Sequence, residues 1–190
     1  MFIRCCVVAM LVLSASGGAW AQARGPIPEL RPMAGAYVPM GDQRDFMKDA
    51  LMVGFEGAVE IGDRAHLLGT LAWSPSKNDA MSTQRHINLF QYDLGVEVFN
   101  QRTLGGEWMF KPFVGVGGGA RTFDFPDPAI KTKTYLTGYG SVGTEFQFRR
   151  LALRVEGRDY IYRFKGVTGE EGSSTRNDLA LVTGAAFHLW

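Results

Sequence analysis

Residues 113–125 read FVGVGGGARTFDF. The stretch has the apolar content of a β-strand, yet Gly115, Gly117, Gly118 and Gly119 occupy four of its thirteen positions. Glycine loses the most backbone freedom on ordering and offers no side chain to pack, so strand interiors normally avoid it. The strand therefore belongs to a sheet in which one face needs room. Extended to residues 110–123, it sets Phe110, Pro112, Val114 and Val116 on one side. Lys111, Phe113, Gly115, Gly117, Gly119 and Arg121 fall on the other.

The same period-2 alternation runs through the rest of the chain, and helical periodicity is hard to find after residue 30. Residues 51–61 alternate an apolar series with Met52, Gly54, Glu56, Ala58 and Glu60. Residues 90–99 put Phe90, Tyr92, Leu94, Val96 and Val98 against Gln91, Asp93, Gly95, Glu97 and Phe99. Residues 151–162 set Leu153, Val155 and Ile161 against Arg154, Glu156, Arg158, Tyr160 and Tyr162. Asp159 interrupts the apolar side, which predicts a bulge or strand end there.

Eight strand segments follow, at about 30–39, 50–62, 65–75, 87–100, 108–124, 133–148, 151–165 and 178–190. The connections near Asp63, over Arg102–Glu107 and at Arg149–Arg150 are short. Those at Gly41–Asp49, Ser76–His86, Phe125–Thr132 and Gly166–Asn177 are longer and polar. Short turns at one end and long loops at the other describe an up-and-down antiparallel barrel. Strands of roughly ten residues match a tilted membrane crossing, in which the apolar face points outward. Aromatic residues near strand ends (Tyr37, Trp73, Phe99, Trp108, Tyr135, Phe148, Tyr162 and Trp190) are candidates for interfacial girdles.

The first 23 residues, MFIRCCVVAMLVLSASGGAWAQA, have the layout of a secretory signal peptide, cleaved after Ala21 or Ala23. Residues 1–21 are accordingly leader, 22–29 a short lead, and 30–190 the barrel. Both cysteines, Cys5 and Cys6, lie in the leader, so no disulfide is expected in the mature domain. Removing the leader takes away Arg4 alone and leaves 19 basic and 19 acidic residues. That balance, with no basic stripe, argues against nucleic acid as a partner.

The chain ends VTGAAFHLW. Its Gly184, Phe187, Leu189 and Trp190 resemble the terminal sorting strand of bacterial outer-membrane proteins. With FKPFVGVGGGARTF at 110–123, residues 30–190 resemble the small eight-stranded outer-membrane β-barrels, the OmpA/OmpX-like group. The resemblance implies an all-β transmembrane barrel, an integral position in the Gram-negative outer membrane, and a signal peptide. It also implies outer-membrane lipid and lipopolysaccharide as surroundings, the barrel-assembly machinery as partner during biogenesis, and a monomer.

An eight-stranded barrel is just wide enough for side chains to fill its lumen. The inward parity puts Glu56, Glu60, Asp93, Glu97, Lys111, Arg121, Glu145, Arg154, Glu156 and Arg158 inside. Charges held there need partners, which predicts an ion-pair network plugging the lumen. Folding strands about their turns places Glu145 opposite Arg154 and Glu97 opposite Lys111. Gly115, Gly117 and Gly119 would then leave room for Arg154, Arg158 and Glu97.

Catalytic signals are weak. His66 lies near a short turn, His86 in a long loop four residues after Ser82, and His188 in the last strand. None has the serine and acid neighbours of a hydrolase triad at a recognisable spacing. No zinc or EF-hand spacing appears, although Asp124, Asp127, Glu170 and Glu171 lie in or beside loops, so no cofactor is expected. The reading is a non-enzymatic barrel presenting four surface loops for envelope-structural, adhesion or ligand-binding roles; the alternatives are a narrow pore or hydrophobic-solute conduit and, second, a lipid-modifying enzyme. A soluble lipocalin-like barrel is the structural rival.

Overall fold

Alternating sequences of this kind close on themselves in the computed structural model, which describes residues 28–44, 47–78, 85–125, 132–164 and 174–187. Eight long strands make the wall: β1 (Glu29–Pro39), β2 (Ala50–Glu60), β3 (Ala65–Asn78), β4 (Arg85–Phe99), β6 (Trp108–Asp124), β7 (Lys133–Phe148), β8 (Leu151–Phe164) and β9 (Ser174–Phe187). A short β5 (Arg102–Gly105) hangs from β6 as a hairpin at one rim. Neighbouring wall strands pair antiparallel in chain order, β9 returns to β1, and β4 pairs with β6 to complete the circle.

The register gives the barrel its shape. Paired residues lead from Val38 through Leu179, Asp159, Gly140, Val116, Val96, Leu67 and Val59. Since Glu29 faces Ala58, the circuit returns to β1 at Pro28, ten residues below Val38. Such a stagger tilts the strands by about 40° and leaves an interior that side chains can fill.

The alternation is inverted relative to a soluble protein. Leu136 is 84% exposed, Leu94 69% and Val116 68%, and all lie on the outer face with Leu71, Val142, Val155 and Leu181. An apolar belt of that extent on every wall strand faces lipid. The aromatic candidates divide by parity rather than by nearness to strand ends. Trp73, Trp108 and Phe148 are on the outer face, with the rings of Trp108 and Phe148 in tilted contact at 4.6 Å. Tyr37, Phe99 and Tyr162 are buried in the lumen and Tyr135 is half-buried there, so these four form no girdle; Trp190 lies outside the described residues.

Four local expectations change. Asp159 causes no bulge: β8 runs unbroken past it, paired with Gly140 and Leu179. Extended backbone continues because both of its neighbours keep their ladder register. Glu29 already belongs to β1, and His86 sits within β4 rather than in a loop, opposite Lys77. Finally, Glu97 faces Gly115, not Lys111. The chain reverses at Gly105 and Gly106, both at positive φ, two residues beyond the expected pivot at Leu104, and this shifts the pairing by four.

The glycines of β6 make room for the neighbouring strand and for β4. Tyr139 of β7 pairs across from Gly117 and lies in the notch formed with Gly95. A Cβ at Gly117 would stand 2.5 Å from the Leu94 carbonyl oxygen and 2.6 Å from Tyr139 Cζ. One at Gly119 would meet Asp93 Oδ1 at 2.5 Å, and one at Gly115 the Ser141 Oγ at 2.6 Å. The space is therefore taken by Tyr139, Asp93 and Ser141. Of the three residues expected there, only Glu97 borders it, through its Cβ beside Gly115. Gly118 faces lipid, paired with Gly138.

Gly117→Leu should cost about 1–3 kcal/mol through overpacking of the lumen. Gly140→Leu, on the lipid face with open space around its Cβ, should be nearly neutral. Urea unfolding from lipid vesicles measures both, and equal stabilities for the two variants would contradict this placement.

Candidate functional site in the barrel lumen

Inward-pointing residues stack in two layers. Nearer the short turns, Arg31 of β1, Glu56 of β2, Glu97 of β4, Lys111 of β6, Glu145 of β7, and Arg154, Glu156 and Arg158 of β8 form one ionic network. Four bases meet four acids inside the barrel, and Glu29 adds a fifth carboxylate through Arg31. Arg154 forks onto Glu97, with Nη1 donating to Oε1 at 3.2 Å and Nη2 to Oε2 at 2.5 Å. Its Nε donates to Glu156 Oε2 at 3.0 Å. Arg158 donates from Nε to Glu156 Oε1 at 2.5 Å, from Nη1 to Thr70 Oγ1 at 2.9 Å, and from Nη2 to Glu56. Arg31 donates to Glu56 at 3.2 Å and Glu29 at 2.9 Å, and its Nη2 lies 3.5 Å from Glu145. Lys111 Nζ is 3.3 Å from Glu145 Oε1.

Aromatic faces close the gaps. The Arg154 guanidinium lies 3.5 Å from the centroid of Phe113, and Arg158 5.4 Å from that of Tyr139. Cation–π contact suits guanidinium because its planar face is weakly hydrated. The cavity left among Arg31, Met33, Glu56, Arg154, Glu156, Val182 and Gly184 measures about 10 Å³, the size of one water molecule.

Nearer the long loops, Asp178 of β9 accepts from Tyr37 Oη at 2.6 Å, Tyr162 Oη at 2.8 Å and Arg121 Nη1 at 2.6 Å. Arg121 also donates to Gln91 Oε1 at 2.9 Å and lies 4.0 Å from the Tyr160 centroid. Asp93 accepts from Gln91 at 2.7 Å and from Tyr160 Oη at 2.9 Å. Above these, Met52, Ile87, Leu89, Phe123 and Phe164 pack an apolar plug. The loop after β1 folds into its mouth: a 3-10 turn at Gly41–Gln43 buries Gln43, and Met47 is buried beside it. Lys48 N bonds Lys77 O at 3.2 Å and Ser76 Oγ bonds Lys48 O at 2.7 Å, fastening the loop to β3.

Of the ten charges placed inside by parity, nine line the lumen. Glu60 has the inward parity but stands at the rim, its side chain 62% exposed and 3.8 Å from His66 Nε2. Glu145 does pair in register with Arg154, but its ionic partners are Lys111 and Arg31, because Arg154 reaches across to Glu97. Arg31 and Asp178 escaped the sequence reading, although the alternation of Arg31, Met33, Gly35 and Tyr37 carries the signal. Gly184 pairs with Met33 and Phe187 closes β9 opposite Leu151; Leu189 and Trp190 lie outside the described residues.

His66 is a lumen residue, its Nδ1 2.8 Å from Glu97 Oε1 and its ring stacked on Phe99 at 4.6 Å. No hydroxyl bonds to it among the described residues. His86 is on the outer face, and Ser82 and His188 lie outside the described residues. Asp124 accepts from Thr132 at 2.8 Å; Asp127, Glu170 and Glu171 lie outside the described residues. Among the described residues there is no group of three or more acidic, histidine or cysteine side chains placed to hold a metal.

Arg154→Met would strand Glu97 and Glu156 without their shared cation. Breaking such a buried pair should lower stability by about 3–5 kcal/mol, read as a shift in urea midpoint. An unchanged midpoint would contradict the network's role.

No protein-family model and no curated protein matches the sequence. Solved structures do match. Neisserial surface protein A superposes with a TM-score of 0.59 at 11% identity, over 85% of this chain and 97% of that one. The outer membrane protein OprG from Pseudomonas aeruginosa gives 0.56 at 12% identity, over 86% and 98%. The likeness is one of fold, and the chain has the fold of the small eight-stranded outer-membrane β-barrels.

Proposed function

We propose that the protein is a monomeric, non-enzymatic barrel of the outer membrane whose lumen is a structural core, and that it acts at the cell surface through its four long loops. The apolar belt and the closed sheet support the membrane position, with lipopolysaccharide and lipid as surroundings and the assembly machinery as the route in. The observation that carries the reading is the dense packing of charged and aromatic side chains inside the barrel among the described residues. An ionic layer with room for one water and an apolar layer capped by Gln43 and Met47 lie in series along the barrel among the described residues. A rigid, filled barrel is a scaffold for loops, and loops on rigid scaffolds carry recognition.

A second reading rests on the outer apolar layer. Phe123, Tyr135, Tyr162 and Phe164 pack an aromatic cluster just beneath the mouth, the chemistry of a hydrophobic-solute conduit.

Planar-bilayer recording in concentrated salt separates the two from a pore. The reading as a scaffold predicts no discrete openings in the wild type. Stable unitary conductance would overturn it, and accelerated uptake of an apolar solute into vesicles without conductance would favour the second reading.

A further inference from the structure

The strand pair β4–β6 reaches further toward the short turns than β3 beside it. β3 begins at Ala65, after a turn closed by the bond from Ile61 N to Ala65 O at 2.9 Å. The last rung joining it to β4 runs from Phe99 N to Arg64 O at 3.0 Å. Past that rung the chain holds to β6 alone. Asn100 N donates to Pro112 O at 3.0 Å, and β5 continues in the register of β4, with Arg102 opposite Phe110 and Thr103 opposite Met109.

Backbone groups alternate from side to side along an antiparallel strand. Phe99 turns its N–H toward β3 and Asn100 turns its own toward β6, so Gln101 and Thr103 direct N–H and C=O to the side that β3 has vacated. Residues 100–107 are all exposed, and among the described residues no strand pairs with this edge. An open edge of this kind is a template for another strand. Two exposed cations flank it, Arg102 on β5 and Arg64 at the foot of β3, neither with an ion-pair partner among the described residues. The acids nearby are Asp63, in the turn beside Arg64, and Glu107 and Glu60, which stand against Arg149 and His66.

From this juxtaposition we infer that β5 is a docking strand for an extended, acidic segment of a periplasmic protein. The segment adds to the sheet antiparallel to β5. Its backbone takes up the free groups of Gln101 and Thr103, and its carboxylates meet Arg64 and Arg102. The location rests on the outer-membrane reading given above, in which the short turns face the periplasm. A second copy does not fit. Copies inserted alike are related by rotation about the membrane normal, so every β5 runs toward the periplasm and no two can pair antiparallel. Parallel pairing needs a two-fold axis along the strand, which lies about 40° off that normal.

The test uses the folded mature chain in detergent micelles and two acetylated, amidated hexapeptides, one alternating threonine with glutamate and the other threonine with lysine. Binding is read by fluorescence anisotropy of labelled peptide, and the free edge by amide hydrogen exchange. The glutamate peptide should bind about tenfold more tightly than the lysine peptide, as two exposed ion pairs allow. It should also slow exchange at the Gln101 and Thr103 amides. Thr103→Pro removes an N–H that β6 does not use, so it should keep the wild-type unfolding midpoint and weaken the glutamate peptide about fivefold. Arg64→Ala/Arg102→Ala should abolish the preference between the peptides. Equal binding of both peptides, unchanged exchange at the two amides, or an unaffected Thr103→Pro variant would each overturn the site. Protection of the same amides that grows with protein concentration, without peptide, would give the edge to a second copy and overturn it too. A chain that inserts into vesicles yet binds neither peptide sinks the docking strand alone. A chain that fails to insert sinks the membrane reading.

Discussion

The paired layer of guanidinium, ammonium and carboxylate groups inside the barrel is the constraint on which the rest depends. Each charge in it has left water, and an isolated one would cost several kcal/mol. The sheet must therefore bring bases and acids from different strands to within hydrogen-bond reach. Arg154 on β8 finds Glu97 across the lumen, Arg158 finds Glu56 of β2, and Arg31 of β1 links Glu56 to Glu145 of β7. The tyrosine-rich layer above does the same for β9 through Asp178. Together the two layers tie every wall strand to partners that are not its neighbours in the sheet, which selects one register among those that alternation alone permits.

Glycine sets the space in which this happens. The wall of β6 and β4 is thinned on its inner side at Gly95 and Gly117, where Tyr139 fills the recess, and at Gly119, where Asp93 does. A tyrosine laid flat against the sheet covers backbone that would otherwise face ions, and turns its ring to Arg158. The same geometry explains how an eight-stranded barrel accommodates four bulky cations, three of them guanidinium groups, at one level. Room is made in the wall rather than along the axis.

Face and strand location were legible in the chain because they depend only on period-2 alternation and turn composition. The eight segments and nine of the ten proposed lumen charges follow from that local signal. Partnership was less legible. Glu97 was expected to meet Lys111, but the reversal at Gly105–Gly106 moved the register by four residues. Arg154 faces Glu145 in the sheet yet bonds Glu97, because a long side chain in a narrow barrel reaches across the axis as easily as along the sheet. Such contacts depend on the shear, which is set by the whole closed circuit. Strand-end aromatics failed as girdle markers for a related reason: Tyr37 and Tyr162 are near strand ends, but their parity is inward.

The central claim is that the lumen charges hold the barrel together as pairs. A double-mutant cycle on Arg154→Met and Glu97→Gln, read by urea unfolding from lipid vesicles, measures it directly. The account predicts a coupling of about 2 kcal/mol or more, with the double variant less damaged than the sum of the single ones. Additive effects, with no coupling between the two sites, would contradict it.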